Sequence, residues 1–314
     1  MYYQKFLYIF FVTLALNLSF FSTNEVNAKA FLIDEIEISE KLENNFNKDI
    51  LINKGFKKAF RKLMNNLVQS KDLSKVKNIN LNQIKGMIET FSIKEEKFIN
   101  QTYKLNLSVS FDRKSIYDYL ENKNIFPAQI LKEKFLFLPV FIDQFDNSLL
   151  VYSNNPIYEN WIMEEDKNFL IQYVLPSEDL EDLELIRKYY LDLEDYDFKE
   201  IIEKYYLKNS IIALFSKDQN QLKVLSKIRI QDKKFIQNNL FQNIDLNQTK
   251  NLNKLINELK IIYEDFWKQN NLINTSIKLP LLIKMNNSNF DLSSRFEKTL
   301  VNIDLINNFS IIKF

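Results

Sequence analysis

The chain has 314 residues, 46% hydrophobic and 26% charged, with 42 Lys and Arg against 41 Asp and Glu, no Cys, no His and two Gly. That is a globular, near-neutral balance without the field needed to gather a phosphate backbone, so nucleic acid is not an expected partner. The absent residue types exclude Ser-His and Cys-His nucleophiles, imidazole bases and thiolate or imidazole metal sites, and Gly55 and Gly86 are too far apart for a Walker loop or a GxGxxG turn.

Residues 1–30 predict a secretory signal peptide. Lys5 sits in a short n-region, an apolar stretch runs over 6–21, and Ala28-Lys29-Ala30 forms an A-x-A cleavage box. The stretch is short of the roughly 20 residues a span needs, which leaves an uncleaved signal anchor as the alternative. No Cys follows it, so a lipoprotein anchor is excluded. Without Lys5, Lys29 and Glu25 the acidic and basic side chains balance, and a thiol-free exported chain must hold together by its core. With so little glycine, left-handed loop positions fall to Asn and Asp.

Residues 31–39 (FLIDEIEIS) predict a half-buried strand, with Ile36 and Ile38 on one face and Glu35 and Glu37 on the other. A helix is predicted over 47–69, where Ile52, Phe56, Phe60, Leu63 and Leu67 form a face widened by Ala59 and Met64. Its other side carries Lys54, Lys57, Lys58, Arg61 and Lys62, a surface for anionic lipid or an acidic partner on one reading and a solvated face on the other. A helical piece over 81–89 leads into strands at 91–98 and 103–111, joined at Ile99-Asn100-Gln101. The second strand is the cleanest alternation in the chain: Tyr103, Leu105, Leu107, Val109 and Phe111 against Lys104, Asn106, Ser108 and Ser110. Asp112 caps a helix over 113–121, with Ile116, Tyr117 and Leu120 facing inward.

The run 135–143 (FLFLPVFID) is too short to cross a bilayer and predicts a buried strand whose Pro139 needs a bulge or a free N–H edge. It opens a second module. There the sequence predicts a paired strand at 149–152, a helix after Asn155-Pro156 that carries Trp161, a strand at 169–175, and Pro176-Ser177 as its stop and the cap of a further helix. A helix over 198–207, a strand at 211–215, a turn at Asp218-Gln219-Asn220 and an alternating strand at 221–230 follow. The longest helix is predicted over 249–270, on a stripe of Leu252, Leu255, Ile256, Leu259, Ile262, Tyr263 and Phe266 beside Trp267. A strand at 276–285 broken by Pro280, a helix over 291–301 and a strand-like end at 310–314 complete the reading; that end must pair with its own sheet or a partner's edge. The fold class is therefore α+β: a βαββα module with an antiparallel sheet at 31–122, a linker at 123–134, and a larger mixed α/β module at 135–314.

The acidic tract over 177–200 is the one conspicuous charge cluster. Asp192, Glu194, Asp195 and Asp197 are candidate ligands for a hard cation such as Ca²⁺, without the central Gly and distal Glu of a Ca²⁺ loop. The structural reading makes Ser177-Glu178-Asp179 and Asp197 to Glu200 anion-loaded helix starts. Paired carboxylates could hydrolyse glycosides without His or Cys, yet no pair stands out among so many. Tyr189-Tyr190, Tyr205-Tyr206, Trp161 and Trp267 line either a ligand groove or the core. No cofactor and no catalytic residue is assigned.

The order of landmarks carries a resemblance. After the βαββα pattern come Leu138-Pro139-Val140, then Asn155-Pro156 with Trp161, then the run from Leu175-Pro176-Ser177-Glu178-Asp179 to Leu183, and finally a long helix closing on Trp267-Lys268-Gln269-Asn270-Asn271-Leu272. In these the chain resembles the bacterial family known as domain of unknown function 2066, particularly its alphaproteobacterial members. The resemblance implies a Gram-negative, periplasmic or envelope-associated protein with no assigned activity. The chain departs from that family in its scarcity of glycine and in ending before a further helix and strand. The expectation is a non-enzymatic periplasmic binding or assembly component of the cell envelope, with an envelope protein as partner and no stable membrane insertion once the signal is removed. A carboxylate-based hydrolase of envelope polysaccharide and a small-ligand binder with a cleft between the modules are the alternatives.

Overall fold

The structure, a computed structural model, describes residues 30–42, 46–144, 146, 148–162, 169–218, 221–275, 279–284, 290–301, 306 and 309–312. The predicted signal peptide lies outside them apart from Ala30, as do Gln219 and Asn220 of one predicted turn. The fold is α+β, with a three-stranded antiparallel sheet followed by a larger mixed one.

The first sheet takes β1 (Ala30–Lys41), β2 (Ile88–Ile99) and β3 (Thr102–Asp112) in the order β1-β3-β2. Between β1 and β2 run α1 (Lys48–Leu67), a 3₁₀ turn at Ser70–Asp72, α2 (Leu73–Lys77) and α3 (Leu81–Gly86); α4 (Arg113–Glu121) follows β3. Strand β1 buries Phe31 and Ile33, then Ile36, a change of parity that strict alternation forbids. The register shift between Ile33 and Ile36, with Glu35 at φ 57°, supplies the extra residue of a β-bulge. Asn47 caps α1 by accepting from Asp49 N and Ile50 N, and Asp112 caps α4 through Ser115 N at 2.7 Å. Gly55 allows α1 to lie close on the sheet, since a Cβ there would overlap the side chains of Ile38 and Leu107.

The larger sheet comprises β4 (Glu133–Asp143), β5 (Ser148–Leu150), β6 (Ile171–Val174), β7 (Asn209–Asp218), β8 (Gln221–Ile230) and β9 (Lys233–Gln242). Its order is β5-β4-β7-β8-β9, with β6 also on β4. Helices α5 (Pro156–Asn160), α6 (Leu180–Lys188), α7 (Lys199–Glu203), α8 (Thr249–Asn270) and α9 (Phe290–Val301), with a 3₁₀ turn at Tyr190–Asp192, complete the described elements. Strand β4 is buried on both faces. Phe135, Phe137 and Phe141 join the core under α8 and α5, while Leu136, Leu138 and Val140 join a separate core under α6 and α7.

Pro139 meets the free-edge condition. On one side β4 runs parallel to β7 throughout, with Pro139 opposite Ala213. On the other side β6 covers residues 133–136 and β5 covers 141–143, which leaves Pro139 in the gap between them. Its carbonyl points into that gap and accepts from Asn155 Nδ2 at 3.0 Å, so the missing N–H breaks no ladder bond. Asn155 is fully buried; its Nδ2 also donates to Leu150 O and Val151 O, and its Oδ1 caps α5 by accepting from Ile157 N and Tyr158 N.

Several predicted elements change. Helix α5 ends at Asn160, so Trp161 follows it instead of riding on it. The cap of α6 is Asp179, which accepts from Glu181 N at 2.8 Å, and Ser177 lies outside it. Helix α7 is confined to Lys199–Glu203, with Phe198 at φ 53° as its cap residue. Strand β9 was not predicted, because Gln237 and Asn239 take positions on its inward face and hide the apolar period. No strand forms over Leu279–Lys284 or over Ser310–Ile312; the rest of those predicted strands lies outside the described residues.

Replacing Asn155 with Ala removes a helix cap and the donor to three carbonyls, two of them in fully buried bonds. The expected loss is about 3 kcal/mol of stability, measured by urea denaturation.

Candidate binding surface

Part of the acidic tract is engaged in structural contacts. Lys204 Nζ lies 2.6 Å from Asp182 Oδ1 and 3.0 Å from Asp179 Oδ2, and these two bonds, Asp182 first, hold its ammonium charged well above the usual lysine range. Further along, Asp192, Glu194, Asp195 and Asp197 are all exposed. Asp197 Oδ1 accepts from Lys199 N at 3.0 Å, as an N-terminal residue of α7 should. The loop folds over Lys227, whose ammonium donates to Tyr196 O at 2.6 Å and Leu193 O at 3.3 Å. Burial lowers the pKa of Lys227, opposed by the carboxylates of Asp195, Asp197 and Glu194. Among the described residues no group of three or more Asp or Glu is placed to hold a metal ion.

The aromatic candidates divide. Trp161 is fully buried and stacks on Phe137 at 3.6 Å between ring centres, and Trp267 is buried against Phe135. Tyr189 stacks on Tyr196, Tyr205 Oη accepts from Ser177 N, and Tyr206 is 95% exposed. The basic side of α1 folds down in part: Lys54 pairs with Glu40 at 2.7 Å, while Lys58 and Lys62 donate to Glu37 O and Asp34 O.

Sequence reasoning missed a row of polar groups inside α8, masked by the apolar stripe they interrupt. Lys260, Glu264 and Lys268 are all buried at four-residue spacing. Lys260 donates to Trp161 O; Glu264 Oε1 accepts from Leu170 N at 2.6 Å and Ile171 N at 2.7 Å; Lys268 donates to Asn65 O and Val68 O at the end of α1. Beside them Asp265 accepts from the N–H and hydroxyl of Ser70. Ala128 N donates to Leu67 O, Gln129 N to Asn271 O, and Ile273 N to Pro127 O. The last turns of α8 therefore clasp the end of α1 and the segment 127–131. Burial raises the pKa of Glu264, which the two N–H donors and Lys268 at 3.9 Å oppose, and lowers that of Lys268.

Among the described residues the inner face of β2 is left uncovered. Helix α1 lies over β1 and β3, whose Leu105, Leu107, Val109 and Phe111 are buried, but all of β2 beyond its first residue is exposed. Phe91, Ile93 and Phe98 pair with Val109, Leu107 and Tyr103 and so lie on the same face as the core. They are nevertheless 47%, 36% and 58% exposed. Between them Lys94, Glu95, Glu96 and Lys97 form a charged middle, with a register shift after Ile93 and a bridge from Glu96 to Lys48 at 2.7 Å. The outer edge of β2 is one end of its sheet. A separate cavity of about 290 Å³ lies where β9 turns into α8, lined by Leu240–Ile244, Asn251, Lys254 and Leu255, without a carboxylate.

No family model matches the chain, and no curated protein does. Among the described residues no helix is long and apolar enough to cross a membrane.

Replacing Glu264 with Ala strands two N–H donors and an ammonium in the interior, at an expected cost of about 3 kcal/mol; Gln, which keeps the acceptor, costs about 1 kcal/mol. Because the folded-state pKa is raised, the native protein binds the extra proton earlier than the unfolded chain. Stability from this group is therefore fully present below the ordinary glutamate value of about 4.3 and is lost as pH rises through the folded value. The melting temperature of the native chain relative to Glu264→Gln is expected to rise on acidification from neutral pH.

Proposed function

We propose that this chain is an exported, non-enzymatic component of the bacterial envelope that binds an extended segment of another envelope protein along β2. The observation that carries this reading is the uncovered inner face of β2, where Phe91, Ile93 and Phe98 stand half exposed beside α1. An incoming strand would take the unpaired main-chain groups of the β2 edge, and its alternate side chains would cover those three residues. The charged middle, Lys94 to Lys97, discourages indiscriminate pairing and restricts partners to those with matching charge.

Export rests on the leader and its cleavage box; the Gram-negative setting rests on the resemblance to the domain of unknown function 2066 family. A hydrolase would need two carboxylates facing each other across a cleft, whereas the conspicuous acids Asp179 and Asp182 are engaged with Lys204. A ligand cleft between the modules competes with the hydrogen bonds that the end of α8 makes to α1 there.

In-cell photocrosslinking from Ser92, on the other face of β2, tests the reading. A discrete envelope protein is expected to be captured from this position and lost with Phe98→Asp, at a stability change within about 1 kcal/mol because Phe98 is exposed. Capture that is unchanged by Phe98→Asp, or glycan hydrolysis abolished by neutralising one carboxylate, overturns it. Intact mass of the exported protein is expected to place its first residue at Phe31.

A further inference from the structure

Among the described residues β9 is the last strand of the larger sheet, and no strand pairs with its outer edge. We propose that this edge is a two-fold interface, on which a second copy of the chain pairs antiparallel so that the larger sheets of two molecules become continuous. The proposal goes beyond the β2 reading and rests on different residues.

The two-residue loop Gln231-Asp232 makes Ile230 and Lys233 a hydrogen-bonded pair, so the odd-numbered residues of β9 direct their N–H and C=O groups to β8. The even-numbered residues, Lys234, Ile236, Asn238, Leu240 and Gln242, direct theirs outward. Asn238 O, on that free side, is met by the chain's own Gln237 Nε2 at 3.3 Å. The strand has no proline, and its pairing with β8 runs without a register shift. Its charges are confined to Lys233 and Lys234 at one end, so it lacks the usual protection of an edge along its middle.

The order of side chains is a chemical palindrome about Asn238: Phe235-Ile236-Gln237-Asn238-Asn239-Leu240-Phe241. An antiparallel pair centred there sets Ile236 opposite Leu240 of the second copy, Phe235 opposite Phe241, and Gln237 opposite Asn239. It keeps faces matched, and it joins even residues to even residues, as the outward backbone groups require. Ile236 and Leu240, 67% and 53% exposed in one molecule, would cover each other twice. The buried Oδ1 of Asn239, which lacks a hydrogen-bond partner, would face the Gln237 amide of the other copy. The lysine pairs would lie about 27 Å apart, eight residues of strand, beyond the screening length of roughly 8 Å. A parallel pairing would set lysine beside lysine.

Helix α8 leads the chain away from this edge. Connections β4-α5-β6 and β6-α6-α7-β7 place helices on opposite faces while the chain moves in opposite directions across the sheet, so they share one hand. Helix α8 covers the same face as α5, and the same hand leads from β9 towards β6. The contacts of Glu264 with Leu170 and of Trp267 with Leu131 follow that course.

Because the chain has no cysteine, Asn238→Cys reports on the axis directly. The paired Cα atoms would be about 5.5 Å apart, within disulfide reach. The full chain is expected to sediment as a dimer that dissociates on dilution, Asn238→Cys to form a disulfide-linked dimer under oxidation, and Ser92→Cys on β2 to remain unlinked. Ile236→Lys with Leu240→Lys is expected to weaken association about a hundredfold or more. A native chain that stays monomeric at every concentration, or equal linking at Ser92→Cys and Asn238→Cys, overturns the proposal; the cysteine variants decide it if the double lysine variant does not fold.

Discussion

From Phe135 to Phe141 strand β4 has no face left for water, and that constraint arranges the larger half of the molecule. Its alternate side chains enter two different cores, each worth of order 1.5–3 kcal/mol per large side chain buried. Both cores must then be roofed by helices, α5 and α8 on one side and α6 and α7 on the other. Such a strand must also satisfy its backbone groups within the protein. The proline in its middle is tolerated because the one stretch without a neighbouring strand coincides with the ring, and a single asparagine side chain closes that stretch.

The same need for internal partners explains the charges inside α8. A carboxylate and two ammonium groups are costly to bury, and here each ends on main-chain groups at the limits of other elements: the first N–H groups at β6, the last carbonyls of α1, and the carbonyl after α5. The helix works as a bar whose polar pegs fit the ends of three other elements. Its apolar stripe provides adhesion, and the pegs determine how far along those elements it sits.

Elements with a strong period and a chemical terminus were legible in the sequence. Helix α4 begins at its Asp112 cap, and helix α8 and strand β8 span their apolar stripes, since local chemistry and burial agree there. What escaped prediction depended on neighbours. Strand β9 is half-buried at a sheet margin, where glutamine and asparagine sit inward at little cost, so it shows no alternation. The Leu279–Lys284 segment has the composition of a strand, but a ladder needs a neighbour and that segment has none among the described residues. The uncovered face of β2 was equally hidden, because Phe91 and Phe98 look like core residues until the width of α1 is known. The bulge at Glu35 could have been read from the change of parity between Ile33 and Ile36.

Left-handed backbone occurs here at Asn100, Asn124, Asn154 and Asn243, as glycine scarcity implies, and also at Glu35, Gln101, Phe198, Tyr206 and Gln231. Each such residue is strained relative to glycine by about 1 kcal/mol. Each also wanders less than glycine when the chain is unfolded, so closing the turn costs less entropy. At these nine positions the polypeptide exchanges supple joints for stiff ones, so those corners resist hinge-like bending.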